Sequence, residues 1–295
     1  MNASPTLFPD LSSTSAHATP VAGIARFAFV RILLAFVAVI VPLALTLVLA
    51  SQIPDKALRA VWPQLLAAAL AVGGYLFYVH RVERRKAVEL GWPGAARELA
   101  AGGALGVGLL LAIVGVLAAC GAFRITGSSG WGALVKPFAE MLLVALVEEI
   151  LFRGVLMRIT EQSRGTWFAF VSSSLLFALA HLPNESITLL AVGATAAAGT
   201  LLAAAYLVTR RLWLAIGLHF AWNFVSDAVL SLPTSGHPAK GLLNGELSGA
   251  EWLSGGPYGI EGSAVTLVVM VLATVWLLRL ALRRHPVLPF GRKGR

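Results

Sequence analysis

Hydrophobic residues fall along this chain in long blocks, each closed by a short polar or basic cluster. The blocks lie near 24–50, 57–79, 99–119, 134–157, 165–182, 186–208, 210–231 and 262–283. Each approaches the roughly 20 residues that span the hydrocarbon core of a bilayer. In lipid the backbone must satisfy its own hydrogen bonds within the segment, so these blocks are predicted to be helices. The shortest, 165–182, stops at Pro183. The pattern predicts an all-α, polytopic membrane protein with about eight transmembrane helices in one bundle. Gly and Ala are frequent, as in 191–205, and small residues let membrane helices approach closely.

The polar breaks divide the chain. Residues 1–22 are rich in Ser, Thr, Pro and Ala and carry no Lys or Arg, so they lack the basic start of a signal peptide and read as a flexible tail. Residues 23–284 form one transmembrane domain, and 285–295 form a basic C-terminal tail. The stretch 232–261, rich in Gly, Pro and Ser, reads as an exposed loop or a lid.

Composition sharpens the picture. The chain is 58% hydrophobic and 13% charged, with a mean hydropathy of +0.80. That excludes an ordinary cytosolic enzyme and a disordered chain. A single cysteine, Cys120, excludes a disulfide scaffold. The net charge of +9 would suggest nucleic acid in a soluble protein. Here the distribution of the charge gives a better account. With both termini inside, sixteen Lys and Arg fall on the inner side and five on the outer. That bias predicts an integral membrane protein, N-in and C-in, with lipids and no nucleic acid as partners. The abundance of Ala, Gly, Leu and Arg points to a bacterium, and so to its inner membrane.

The candidate chemistry is polar residues inside apolar blocks. Glu148 and Glu149 follow Leu142–Val147 and precede Ile150-Leu151-Phe152. One charge at a helix centre costs on the order of 3 kcal/mol even on insertion scales, so two adjacent carboxylates need compensation. Arg153 is four residues from Glu149, on the same helical face, which predicts a buried ion pair. Glu148 is turned about 100° away. A carboxylate without that pairing suits a general base. His181 closes Phe177-Ala178-Leu179-Ala180-His181; taken alone, a histidine at a helix end is more often structural. His219 and Asn223 share one helical face and both donate hydrogen bonds. Asp227 continues that face as a helix-end or supporting residue. Ser172, Ser173 and Ser174 lack a GxSxG elbow and read as packing hydroxyls. HExxH is absent, as are paired intramembrane aspartates.

At this point a resemblance becomes specific. Glu148-Glu149-Ile150-Leu151-Phe152-Arg153 resembles the EExxxR motif of the CPBP family, the CAAX prenyl proteases of type II and the bacteriocin-processing, ABI-like enzymes. Phe177 to His181 is similar to its FxxxH motif and His219 to Asn223 to its HxxxN/D motif, in the family's order. The resemblance covers about 134–228. It implies an intramembrane glutamic endopeptidase, with Glu148 and His181 activating a water. It implies His219 and Asn223 as the oxyanion site and Glu149 and Arg153 as support. It also implies a membrane-associated or lipidated peptide substrate and no cofactor.

Alternatives remain at this stage. Glu148, His181 and His219 are also a three-ligand zinc set. Outside peptidases, a proton-coupled transporter or a non-catalytic scaffold of the bacteriocin-immunity kind would use the same residue types. One tension concerns depth. Counted along their helices, His181 and His219 should differ by roughly 10 Å. Tilt, or a helix that starts outside 165, would have to close that gap.

Overall fold

A computed structural model describes residues 27–289; the expected tail 1–22 and the end of the basic C-terminal tail lie outside them. Helices occupy all eight apolar blocks. They are α1 (Ala28–Ser51), α2 (Trp62–Arg81), α3 (Ala95–Ala119) and α4 (Val135–Glu149), which runs through a π-helical segment (Ile150–Met157) into α5 (Arg158–Arg164). Then come α6 (Thr166–Ala180), α7 (Leu189–Thr209), α8 (Trp213–Phe224) with its own π-helical end (Val225–Val229), the short α9 (Glu251–Ser254) and α10 (Ala264–Arg284).

Five helices, α1, α2, α3, α7 and α10, are long and apolar enough to cross a membrane. The chain is thus a polytopic membrane protein, but length does not bring the count to eight. α6 has 15 residues, α8 has 12, and the fourth block is divided where its helix widens. Nor is the fold purely α. Strands β1 (Phe123–Ser128) and β2 (Leu243–Leu247) pair antiparallel, with Arg124 opposite Glu246. The two strands are short and lack a strong apolar alternation, so they left little trace in the hydropathy pattern.

α7 and α8 form the interior. α3 packs along α8, α10 and α6 along α7, and the α1–α2 pair closes on α4 and its π-helical continuation. The α3–α8 contact is as close as backbones allow. A Cβ at Gly102 would collide with the carbonyl of Leu214, and one at Gly217 with that of Leu99. Gly217→Ala is therefore expected to force the two helices apart. The check is the yield of monodisperse protein in detergent, which should fall sharply, whereas Gly108→Ala, with open space around it, should be neutral.

The end of the bundle where α2 stops is held by ion pairs. Glu83 accepts from Arg85 at 2.6 Å and from Arg158 at 2.8 Å, and Arg31 of α1 also donates to it. Glu89 accepts from Arg85 at 2.6 Å and from the Tyr75 hydroxyl. Burial works to raise the Glu83 pKa, but Arg158, Arg85 and Arg31 outweigh it and hold it at about 2, against an ordinary 4.5. A depressed carboxylate stabilises the fold above its unfolded value and ceases to do so as pH falls through the folded one. Thermal stability should hold above about pH 4.5 and decline towards pH 2. Glu83→Gln should lower stability near neutrality and flatten that decline, which a melting series against pH would read.

The same end explains the depth problem. α6 starts at Thr166, so a misplaced start is not the reason. α8 is the helix that does not begin at the surface. The 82–94 loop folds beneath its start: Leu212 N–H donates to the Glu89 carbonyl at 2.9 Å and Trp213 Nε1 to that of Gly91 at 2.8 Å. Arg211, Leu212 and Trp213 are all buried.

Candidate active site

Glu148 and Glu149 end α4 just where the helix widens into its π-helical segment. Such segments recur at functional sites because they turn successive side chains off the regular 100° step. Here the two carboxylates part company. The Glu149 side chain is 0% exposed and that of Glu148 26%. Glu149 Oε1 accepts from Arg153 Nη1 at 2.9 Å and lies 2.9 Å from His219 Nδ1. Arg153 is fully buried. Its Nη2 donates to the Gly199 carbonyl of α7 at 2.9 Å, and its guanidinium stands 4.8 Å from the Phe177 ring centre. Every group around this ion pair is supplied by a different helix, so the pair fixes α4, α7 and α8 together.

Glu148 faces a cavity of about 330 Å³. Its apolar walls include Met141, Val144, Phe152, Leu202, Leu218 and Met270. Glu148 Oε2 has no hydrogen-bond partner; it lies 3.9 Å from His219 Nε2. His181 and Asn223 line the same space. Phe177 stands between the two histidines, 4.6 Å from the His181 ring and 6.3 Å from the His219 ring. The structure thus brings Glu148, His181, His219 and Asn223 to one cavity, with Glu149 and Arg153 buried behind it.

The ring nitrogens are differentiated. His181 Nδ1 lies 2.8 Å from the Phe177 carbonyl. A carbonyl only accepts, so Nδ1 carries the hydrogen and the neutral ring keeps its lone pair on Nε2. His219 Nδ1 is likewise committed to Glu149, which leaves Nε2 for Glu148 and the cavity. Among the described residues, no group of three or more His, Cys, Asp or Glu is arranged to hold a metal ion. The set Glu148, His181 and His219 shares the cavity without forming such a cluster. Ser173 and Ser174 spend their hydroxyls on the carbonyls of Phe152 and Phe170.

Residues 130–225 match the family model described as Type II CAAX prenyl endopeptidase Rce1-like, about a third of the chain. This segment is Rce1-like. It contains all three motifs, and the match implies a peptidase of the CAAX type. No curated protein and no solved structure matches the chain.

One wall of the cavity lies outside the Rce1-like segment. The loop 232–261 is not simply exposed: Tyr258, Ile260 and Leu232 are fully buried, and Thr234, Ser235, His237 and Glu261 line the cavity. Glu261 accepts from Trp222 Nε1 of α8 at 2.8 Å, and from Ser235 N–H and Oγ, each at 2.6 Å. Asn184, just past His181, donates to the Ser235 carbonyl at 3.0 Å. The tight turn between, with Gly236 at φ +83°, needs a residue without Cβ. The stretch is therefore a packed wall of the cavity, latched to the His219 helix. Sequence reading missed this latch, because Glu261 looked like one more loop acid. A trace existed: Glu261 stands immediately before the last apolar block, two residues ahead of the Ser263 cap of α10.

Glu261→Gln replaces one accepting oxygen by a donor and so breaks the Ser235 half of the latch. We expect faster amide hydrogen exchange across 234–237. Unchanged exchange there would show that the loop holds without it.

Proposed function

We propose that the protein is an intramembrane glutamic endopeptidase of an eight-helix CPBP type, oriented N-in and C-in, that hydrolyses a peptide bond of a membrane-associated or lipidated substrate. The observation that carries this reading is the division of labour between the adjacent carboxylates. Glu149 is fully buried and holds both Arg153 and His219 through Oε1, whereas the Glu148 side chain is partly exposed and faces the cavity.

In the proposed reaction Glu148 takes a proton from a water as its oxygen bonds to the scissile carbonyl carbon. The His181 Nε2 lone pair accepts from the same water and orients it. The carbonyl π electrons move onto oxygen, where Asn223 donates a hydrogen bond. His219, held by Glu149, donates there through Nε2 as the imidazolium. A donor set in place in a dry site can lower such a barrier by about 3 kcal/mol. Collapse of the intermediate breaks the C–N bond, and Glu148 returns its proton to the leaving amine. The apolar walls exclude bulk water, which strengthens each of these interactions. No cofactor is required. Zinc held by Glu148, His181 and His219 is the rival.

The test is cleavage of apolar peptides by purified protein in liposomes, with products read by mass spectrometry. Cleavage that survives a chelator and disappears in Glu148→Gln supports this reading. Cleavage lost to chelator and restored by zinc replaces the water-activating carboxylate by a metal. No cleavage by wild type, with full function of Glu148→Gln in cells, would point to a scaffold.

A further inference from the structure

The two donors proposed for the oxyanion are not equally secured. His219 Nδ1 is held by Glu149 at 2.9 Å. Asn223 is buried and lines the cavity, yet its side chain makes no hydrogen bond among the described residues. An oxyanion donor works only where it is already in place, and here the backbone alone places it. That backbone stands at an irregular point: α8 ends at Phe224 and widens at once into its π-helical end. Whatever holds this end of α8 therefore holds the donor.

Glu261 is what holds it. Its Oε1 accepts from Nε1 of Trp222, the residue next to Asn223, at 2.8 Å. Its Oε2 accepts from Ser235 N–H and Oγ, each at 2.6 Å. The Ser235 carbonyl accepts from Asn184 Nδ2 at 3.0 Å, and Asn184 N–H donates to the His181 carbonyl at 3.0 Å. These contacts run in series around the cavity, from His181 at the end of α6 to Asn223 at the end of α8. Two features separate them from ordinary loop packing. Glu261 is buried, and among the described residues no Lys or Arg pairs with it. A carboxylate buried on hydrogen bonds alone is a costly way to make a contact that an apolar residue could make. Ser235 sits at φ +50°, in the left-handed region that residues with a side chain rarely adopt. Strain of this kind persists where its surroundings fix it, and it gathers at active sites.

Resting on the peptidase reading, we propose that Glu261 is a positioning residue for that reaction. Its carboxylate sets Asn223 against His181, so that the oxyanion donor and the ring that orients the water meet the same carbonyl group. It touches no reacting atom and acts through the two helix ends that it joins. Glu261 lies outside the segment 130–225 that matches the Rce1-like model, so the family match does not report on it. Because the contacts run in series, a break at one link should release the donor, and a second break should add little.

The experiment follows cleavage of an apolar peptide by the protein in liposomes, with kcat and KM read separately. It compares wild type, Glu261→Gln, Trp222→Phe, Asn223→Ala and their pairwise combinations. Glu261→Gln opens the series at Ser235; Trp222→Phe opens it at α8 and keeps an aromatic ring there. Each should lower kcat by about ten- to a hundredfold, the cost of a displacement on the order of 1 Å, and leave KM within about twofold. The two together should be no slower than the slower of them alone. Asn223→Ala should cost about a hundred- to a thousandfold, as loss of an oxyanion donor does. Adding Glu261→Gln to it should cost nothing further, because the group that Glu261 places is gone. Losses that multiply in that double variant would overturn the proposal, as independent effects do multiply. So would a raised KM with kcat unchanged, which would leave Glu261 only a part of the cavity wall. If Glu261→Gln does not fold, Trp222→Phe combined with Asn223→Ala makes the same comparison. Full kcat in Asn223→Ala would overturn the oxyanion assignment, and no cleavage by wild type the peptidase reading; the role of Glu261 falls with either.

Discussion

Glu148→Gln is expected to slow peptide hydrolysis by about a hundred- to ten-thousandfold, the range that removing a general base produces. The amide keeps the size and shape of the carboxylate but cannot take a proton from water. What makes the variant informative is that the fold should not notice it. Glu148 Oε2 has no hydrogen bond to lose, and its contact with His219 Nε2 is long, 3.9 Å, against the 2.9 Å by which Glu149 holds the same ring. The melting temperature should therefore stay at the wild-type value or rise slightly. A variant that is well folded and keeps more than a tenth of wild-type activity would show that Glu148 is not the base.

Arg153→Met is expected to give the opposite pattern, a large loss of stability. It strands the Glu149 carboxylate in a fully buried site and leaves the Gly199 carbonyl without its donor. Removing one member of a buried ion pair costs about 3–5 kcal/mol, because the other charge remains desolvated. In a chain of this size that is a drop in Tm on the order of 10 °C. The double variant Glu149→Gln with Arg153→Met should recover much of it, since a neutral pair carries no stranded charge. Even so, the double variant should remain a poor catalyst, because His219 loses the carboxylate that orients its ring. A thermal melt of wild type, single and double variants reads the first effect. If the single and double variants melt together, the penalty lies in packing and not in charge.

Much of this arrangement is legible in the chain, for identifiable reasons. Charges are costly in lipid, so the few inside apolar blocks stand out, and spacing on a helix settles which can meet. That is why the Glu149–Arg153 pair and the separate outlook of Glu148 follow from four-residue and one-residue spacings. What escapes is what hydropathy and helical period do not encode. The widening at Ile150–Met157 is met by contacts from other helices: Ser173 donates to the Phe152 carbonyl and the Tyr75 hydroxyl to that of Gly154. The buried start of α8 depends on a loop more than a hundred residues earlier. The latch depends on a tertiary meeting of Trp222, Ser235 and Glu261, none of which is unusual in its own neighbourhood.

The long helix that carries both the site and the ion pairs has a further consequence. At one end Glu149 must face Arg153 and His219; at the other Arg158 must face Glu83. Both conditions hold in a single angular phase, and the π-helical segment sets it. Deleting one residue between 150 and 157 would turn the two ends against each other by about 100°. The chain could then keep its anchor or its ion pair, but not both. This stretch tolerates changes of side chain far better than a change of count.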